Sequence, residues 1–244
     1  MPQRKLLVLS VVIVTAFLFA IEQNSPPADK TADAARVNNI GAGYMNQQLF
    51  EKALKNFEDA ARLDPNLQVA RVNQGIALLN LGRIEAARST LEEVVKRDPN
   101  DAHAWDNLGL LYKNSGDADG AITAFHRALD VGGDDADTWY FLGSVFSQAK
   151  QYDRAINAFN RALKLNSFHA SAEFGLSRDY QQSGDLTRAR EHLTRFQYIT
   201  QNKLGSPISL AYGEQGKYSL AEESLAAQAK VPPQIAVKFV DVTK

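Results

Sequence analysis

The chain has 244 residues, with 27 Lys and Arg against 28 Asp and Glu and a formal net charge of -1. This balance, with no concentrated basic run, leaves no electrostatic footprint for nucleic acid. It contains no cysteine, which excludes disulfides, thiolate metal sites, a cysteine nucleophile and a lipid-modified N-terminal cysteine.

The N-terminus carries an address. Arg4 and Lys5 precede an uncharged apolar run over residues 6–21, closed by Glu22. Such a run is long for a signal-peptide core and short for a full span of about 20 residues. A basic flank before it favours an N-terminus left in the cytoplasm and a chain exported behind it. Leu18 occupies the place where a cleavage site wants a small residue, so residues 1–22 read as an uncleaved signal anchor or, alternatively, a removed signal peptide. The expected location is extracytoplasmic: membrane-anchored through residues 6–21 (periplasmic in a Gram-negative bacterium), or secreted if the signal is cleaved. Residues 23–33 hold Pro26 and Pro27 among small polar side chains and read as a linker.

From Ala34 onward one pattern repeats. The stretch AHAWDNLGLLYKNSGDADGAITAFHRALD begins at Ala102, and its landmarks recur about 34 residues on, a period that signals a helical repeat array. Trp105 pairs with Trp139, Leu108 with Leu142, Gly109 with Gly143, Tyr112 with Phe146, Ala121 with Ala155, Phe125 with Phe159, and Ala128 with Ala162. Units fall at 34–67, 68–101, 102–135, 136–169 and 170–203. Trp105, Leu108 and Tyr112 share one face of a first helix, and Ala121, Phe125 and Ala128 one face of a second. Gly109 on that face sets a close crossing, and Gly82, Gly116, Gly184 and Gly216 fall where a left-handed residue ends the first helix. Pro65 and Pro99, each after an Asp, stop the second helix. Three units depart from the pattern: Arg71 and Gln74 replace the Trp and Leu of the second, Lys150 stands where glycine is usual in the fourth, and Glu173 and Ser177 replace the Trp and Gly of the fifth. Residues 204–230 read as a degenerate sixth unit, two residues short, with Ser206 as N-cap and Pro207 opening a short helix.

Residues 231–244 change character. After Pro232 and Pro233, alternation at Ile235, Val237 and Phe239 argues a strand, which has no sheet partner in an all-helical chain; a disordered tail is the other reading. The segment KFVDVT is similar to the first strand of FG-GAP and VCBS-type β-propellers, including exported ASPIC/UnbV-like proteins. That similarity implies that the helical array is the N-terminal arm of a longer protein, or a remnant of one.

The order Trp, Leu, Gly, Tyr, then Ala, Phe, Ala resembles the tetratricopeptide repeat closely, over 34–203. The resemblance implies an all-α fold, a right-handed α-α superhelix whose first helices line a concave face. Asn39, Asn73 and Asn107 share one phase of the repeat, at a place where certain peptide-binding members use an asparagine to bond a ligand's backbone; ordinary repeat usage on a wet face is the alternative. The lysine and arginine that clamp a C-terminal carboxylate in some members are not reproduced nearby. The candidate groove comprises Asn39, Asn73, Asn107, His103, Asp106 and Lys113, with Tyr140, Phe141, Phe174 and Arg178 further on. Amides there suit a peptide backbone, and aromatics suit its side chains. A second ladder of Asn46, Asn80, Asn114, Gln148 and Gln182 reads as structural.

Catalysis has no support. The four histidines, His103, His126, His169 and His192, are too far apart for a helical metal pair and read as surface residues. Asp130, Asp134, Asp135 and Asp137 lack the register of a calcium loop and read as a turn capping the next helix. Phosphate loops and nucleophile elbows are missing. The expected function is a non-catalytic scaffold, with no cofactor and no nucleic acid, that binds a protein or peptide in its groove. The alternative is a structural spacer that presents a C-terminal β-propeller or associates with itself.

Overall fold

The structure, a computed structural model, describes residues 29–209 and 211–225. The apolar run at 6–21 and the expected strand after residue 231 lie outside the described residues. No helix among the described residues is long and apolar enough to cross a membrane.

Ten α-helices and no strand are present among the described residues. They form five antiparallel pairs: α1 Lys30–Asn46 with α2 Phe50–Leu63, α3 Gln68–Asn80 with α4 Ile84–Arg97, α5 Ala102–Ser115 with α6 Ala118–Gly132, α7 Ala136–Gln148 with α8 Tyr152–Leu165, and α9 Ala170–Gln182 with α10 Leu186–Gln201. Side chains start several of them. Asp101, Asp117, Asp135 and Asp185 each accept a hydrogen bond from a backbone N–H three residues on, satisfying a donor that the first turn leaves free. Asp64 and Asp98, each before a proline, take extended backbone and end α2 and α4. Gly116 closes α5 at φ 81°, and Lys150 adopts the same left-handed region at φ 58° where the fourth unit lacks the glycine.

Within each of the first four units a large side chain of the second helix lies on a glycine of the first. A Cβ built on Gly109 would meet the Phe125 ring at 2.6 Å, one on Gly143 the Phe159 ring at 2.7 Å, and one on Gly75 the Leu91 side chain at 2.6 Å. The same ring reaches onward, because a Cβ on Gly175 would also meet Phe159 at 2.7 Å. Phe57, Phe125 and Phe159 are consequently fully buried. On the outside, arginines of the second helices cover aromatic rings of the first: Arg154 lies 4.0 Å from the Phe146 centroid and Arg161 5.9 Å from that of Trp139.

First helices of successive units, α3 on α5, α5 on α7 and α7 on α9, pack directly against each other, and no pair of second helices in the described residues is comparably close. The stack therefore curves toward its first helices, and their exposed sides form an inner face.

Residues 204–225 depart from the expected sixth pair. Among the described residues of this segment, the helical element is a single 3-10 turn, Lys217–Ser219. Ser206 and Pro207 open no helix. Gly213 and Gly216 sit at φ 90° and 89°, and the segment has no apolar stripe long enough to make a helix worth burying. It forms instead a strap that runs over the inner face.

Candidate functional site

The strap starts at α9, reaches the start of α2 and then returns along the remaining first helices from the fourth unit to the first. Its Ile208 N–H donates to Ser171 Oγ on α9 at 2.8 Å, and Tyr212 meets Phe50 edge-on at 5.9 Å. Turning at Gly213 and Gly216, it passes Asp137 on α7 and then lies along α5, α3 and α1.

On this last pass the asparagines hold its backbone. Asn73 Nδ2 donates to the Glu222 carbonyl at 2.8 Å while the Glu222 N–H donates to Asn73 Oδ1 at 2.9 Å. Asn39 treats Ser224 identically, at 3.1 Å and 2.7 Å. Each amide thus replaces the neighbouring strand that an extended residue would have in a sheet. Asn107 Nδ2 donates to the Tyr218 carbonyl at 2.8 Å, and Asn38 Nδ2 adds a bond to the Glu222 carbonyl at 3.0 Å. Asn38, Asn73 and Asn107 are buried beneath the strap.

Two strap side chains converge on His103. The Tyr218 ring stands edge-on to its imidazole at 4.9 Å, and the Tyr218 hydroxyl donates to the Gly132 carbonyl at 3.0 Å. Glu222 Oε1 lies 3.1 Å from His103 Nε2, a contact that holds the Glu222 carboxyl below its usual range. Lys217 pairs with Asp135 at 3.1 Å.

The other predicted groove residues divide. Lys113, Tyr140, Phe174 and Arg178 line a small cavity of about 130 Å³ with Ser144 and Gln148. Burial pulls the Lys113 ammonium below its usual pKa and pushes the Tyr140 hydroxyl above its own. Arg178 is partly engaged, donating to Ser147 Oγ at 2.8 Å. Phe141, expected in the groove, is buried and stacks on Phe125 at 5.8 Å, so it belongs to the core. Asp106 is also buried; it accepts from Thr138 Oγ1 at 2.8 Å, and burial lifts its pKa to about 7.

The histidines are not uniformly at the surface. His169 is buried and caps α9, its Nδ1 accepting from the Ala172 N–H at 3.1 Å, and His192 Nδ1 lies 2.6 Å from the fully buried Glu173. Both answer a local need, an unsatisfied helix start and a buried carboxylate. Of the four aspartates around Gly132, three have a structural partner, Asp134 accepting from the Trp139 indole, Asp135 capping α7 and Asp137 facing His169, while Asp130 is exposed. Among the described residues no group of three His, Asp or Glu side chains is arranged to hold a metal ion.

Asn38, Tyr218 and Glu222 were missed as site residues. Asn38 precedes a ladder member but does not itself recur in the repeat. The strap residues lay in a stretch assigned to helix.

Two family models described as tetratricopeptide repeat match residues 44–111 and 107–170. The solenoid is a tetratricopeptide repeat array. No curated protein matches the chain. Among solved structures it is similar to the MamA fragment from residue 41 onward of Desulfovibrio magneticus RS-1, with a TM-score of 0.65 and 24% identity over 74% of this chain and 100% of that one. A second MamA crystal structure gives 0.62 and 22%, covering 68% and 96%. YrrB, described as a TPR protein with an unusual peptide-binding site, gives 0.59 and 20%, covering 78% and 94%. At these identities the likeness is one of fold.

Proposed function

We propose that the array is a non-catalytic interaction scaffold whose inner face binds an extended segment of a protein partner, on the extracytoplasmic side to which the N-terminal residues direct it. The observation that carries this is the two-way pairing of Asn39 and Asn73 with the backbone of Ser224 and Glu222. Side-chain amides in repeat register, each meeting both the N–H and the C=O of one residue, recognise polypeptide as such. A random peptide library displayed against the chain with its strap weakened by Tyr218→Ala tests it. Enriched peptides are expected, and they should be lost when Asn39→Ala and Asn73→Ala are added. Enrichment that survives both changes places binding elsewhere. N-terminal sequencing of the mature protein tests the location, a start after about residue 20 removing the anchor.

A second reading, an assembly arm, is supported by the open end of the fifth unit. Leu193 occupies the place of Phe125 and Phe159, yet is 38% exposed, and Phe174 and Phe196, one on each helix of the same unit, have ring centroids 5.3 Å apart. On this reading Leu193→Lys abolishes self-association in sedimentation velocity; a wild-type monomer at all concentrations sinks it.

A further inference from the structure

The segment seated on the inner face carries side-chain chemistry as well as a backbone, and an inference drawn from it rests on the peptide-groove reading above. Backbone pairing is blind to sequence. Asn39 and Asn73 touch only main-chain atoms of Ser224 and Glu222, so these contacts accept any extended peptide. Selection comes from the side chains that point into the solenoid. Tyr218 is buried, its hydroxyl on the Gly132 carbonyl and its ring against His103. Four residues on, the Glu222 carboxylate meets the same His103. Ser224, two further, is buried where it pairs with Asn39. Leu220, Glu223 and Leu225 are exposed, as Glu222 is in part, but among these four only Glu222 has a charged partner on the inner face, His103, and the buried Ser219 spends its hydroxyl within the strap on the Gly216 carbonyl.

The floor beneath these backbone contacts is mainly polar, although Ala221 packs on the aliphatic cluster of the first three units. Asn38, Asn73 and Asn107 are covered by the strap and bonded to it. An amide that loses a peptide regains water, so departure of the 217–224 segment uncovers mostly polar groups. Such a floor suits exchange of one segment for another; a trough meant to stay closed would be lined with aliphatics.

We infer that the groove selects, in a partner protein, an extended segment of the pattern Tyr-x-x-x-Glu-x-Ser, running N to C from the fourth unit toward the first, and that residues 217–224 are the chain's own copy of it, which the partner displaces. His103 is the specificity residue, because it contacts both the aromatic ring and the carboxylate.

A fluorescent peptide with the sequence of residues 217–224 is titrated into the full chain and into the variant Tyr218→Ala with Glu222→Ala. The variant changes no residue of the ten helices, and circular dichroism verifies that helicity is kept. Because a built-in competitor lowers the competent fraction, the variant should bind the peptide about tenfold tighter, or more, than the wild type. Replacing the peptide's Tyr by Ala, or its Glu by Gln, should each weaken binding by about threefold or more. Equal affinity of the two proteins, or indifference to Tyr and Glu, overturns the inference. Adding Asn39→Ala with Asn73→Ala separates the two levels. Binding that needs these amides but ignores Tyr and Glu removes the pattern and leaves the groove; binding that ignores the amides removes the groove itself. On the unmodified chain, excess peptide should accelerate hydrogen exchange at the Glu222 and Ser224 amides, and unchanged exchange at saturation counts against displacement. Concentration-dependent dimers of the wild type, with no peptide bound by the variant, overturn the inference in favour of strap exchange between copies.

Discussion

Glycine and phenylalanine set the spacing of this solenoid together. The Phe125 ring needs the room that Gly109 leaves, so the two residues are one device seen from opposite helices. Phe125→Ala or Phe159→Ala is expected to cost about 3–5 kcal/mol in denaturant unfolding, because both rings are fully buried and the helices cannot close over the void. Gly109→Ala should also destabilise, although alanine is the better helix former by about 1 kcal/mol, since overpacking costs about 1–3 kcal/mol. A second residue-scale effect lies at Asp106. Burial raises its pKa to about 7, against a lowering hydrogen bond from Thr138; the charges of Asp135 and Asp137 raise it and His103 lowers it. An acid whose pKa is higher folded than unfolded holds its proton more tightly in the folded state. Its contribution to stability is therefore full below pH 4 and falls as pH rises toward 7, by up to about 4 kcal/mol. Asp106→Asn removes that loss. Its melting temperature should exceed the wild type's by more at pH 8 than at pH 5; an equal difference at both would show that the carboxyl does not titrate in this range.

At the scale of elements, the strap stands apart from the helices. A hydrogen bond contributes about 0.5–1.5 kcal/mol net, whereas ordering a residue's backbone costs about 1–2 kcal/mol. A segment held by roughly one bond per residue over a mainly polar floor thus sits near balance, and opens without unfolding the array. Hydrogen exchange should find the Glu222 and Ser224 amides opening at several kcal/mol less than Leu108 and Leu111 in α5. Equal protection would make the strap part of the cooperative core. The helix pairs were legible because each carries its own period, its Asp caps and its glycine on the packed face. Asn39, Asn73 and Asn107 were legible as a phase of that period. The strap was not, because Ser206-Pro207 and Tyr212 with Gly216 satisfy a helix start and a repeat position locally. What decides against a helix is a long-range alternative, an array of amides more than a hundred residues away that satisfies the same backbone groups. Phe141 was misplaced for a related reason: period alone puts it beside Tyr140 without saying that it lies on Phe125 of the preceding unit. Glu173 shows the converse, a carboxylate in a tryptophan's place that stays buried because Arg195 and His192 meet it at 2.6 Å.

For the whole molecule, stability is a sum of unit terms and interfaces between neighbours, and the strap gives the fifth unit no helical neighbour beyond it. The consequence shows at one repeat position. Phe125 and Phe159 are closed over by the following first helix, as the contact of Phe159 with Gly175 shows, and both are fully buried. Leu193 in the same position has no such helix over it among the described residues and is 38% exposed. Truncation of Leu193 to Ala removes atoms that already share their surface with water, so it should cost about 1 kcal/mol or less, against about 3–5 kcal/mol for Phe159→Ala. The same asymmetry sets an order of opening. A one-dimensional stack loses its least supported end first, so exchange protection should decline from α5 through α8 to α10. Uniform protection along the five pairs would mean that the array behaves as one cooperative block, with the strap, which touches α9 through Ser171 and α1 through Asn39, acting as the tie that couples its ends.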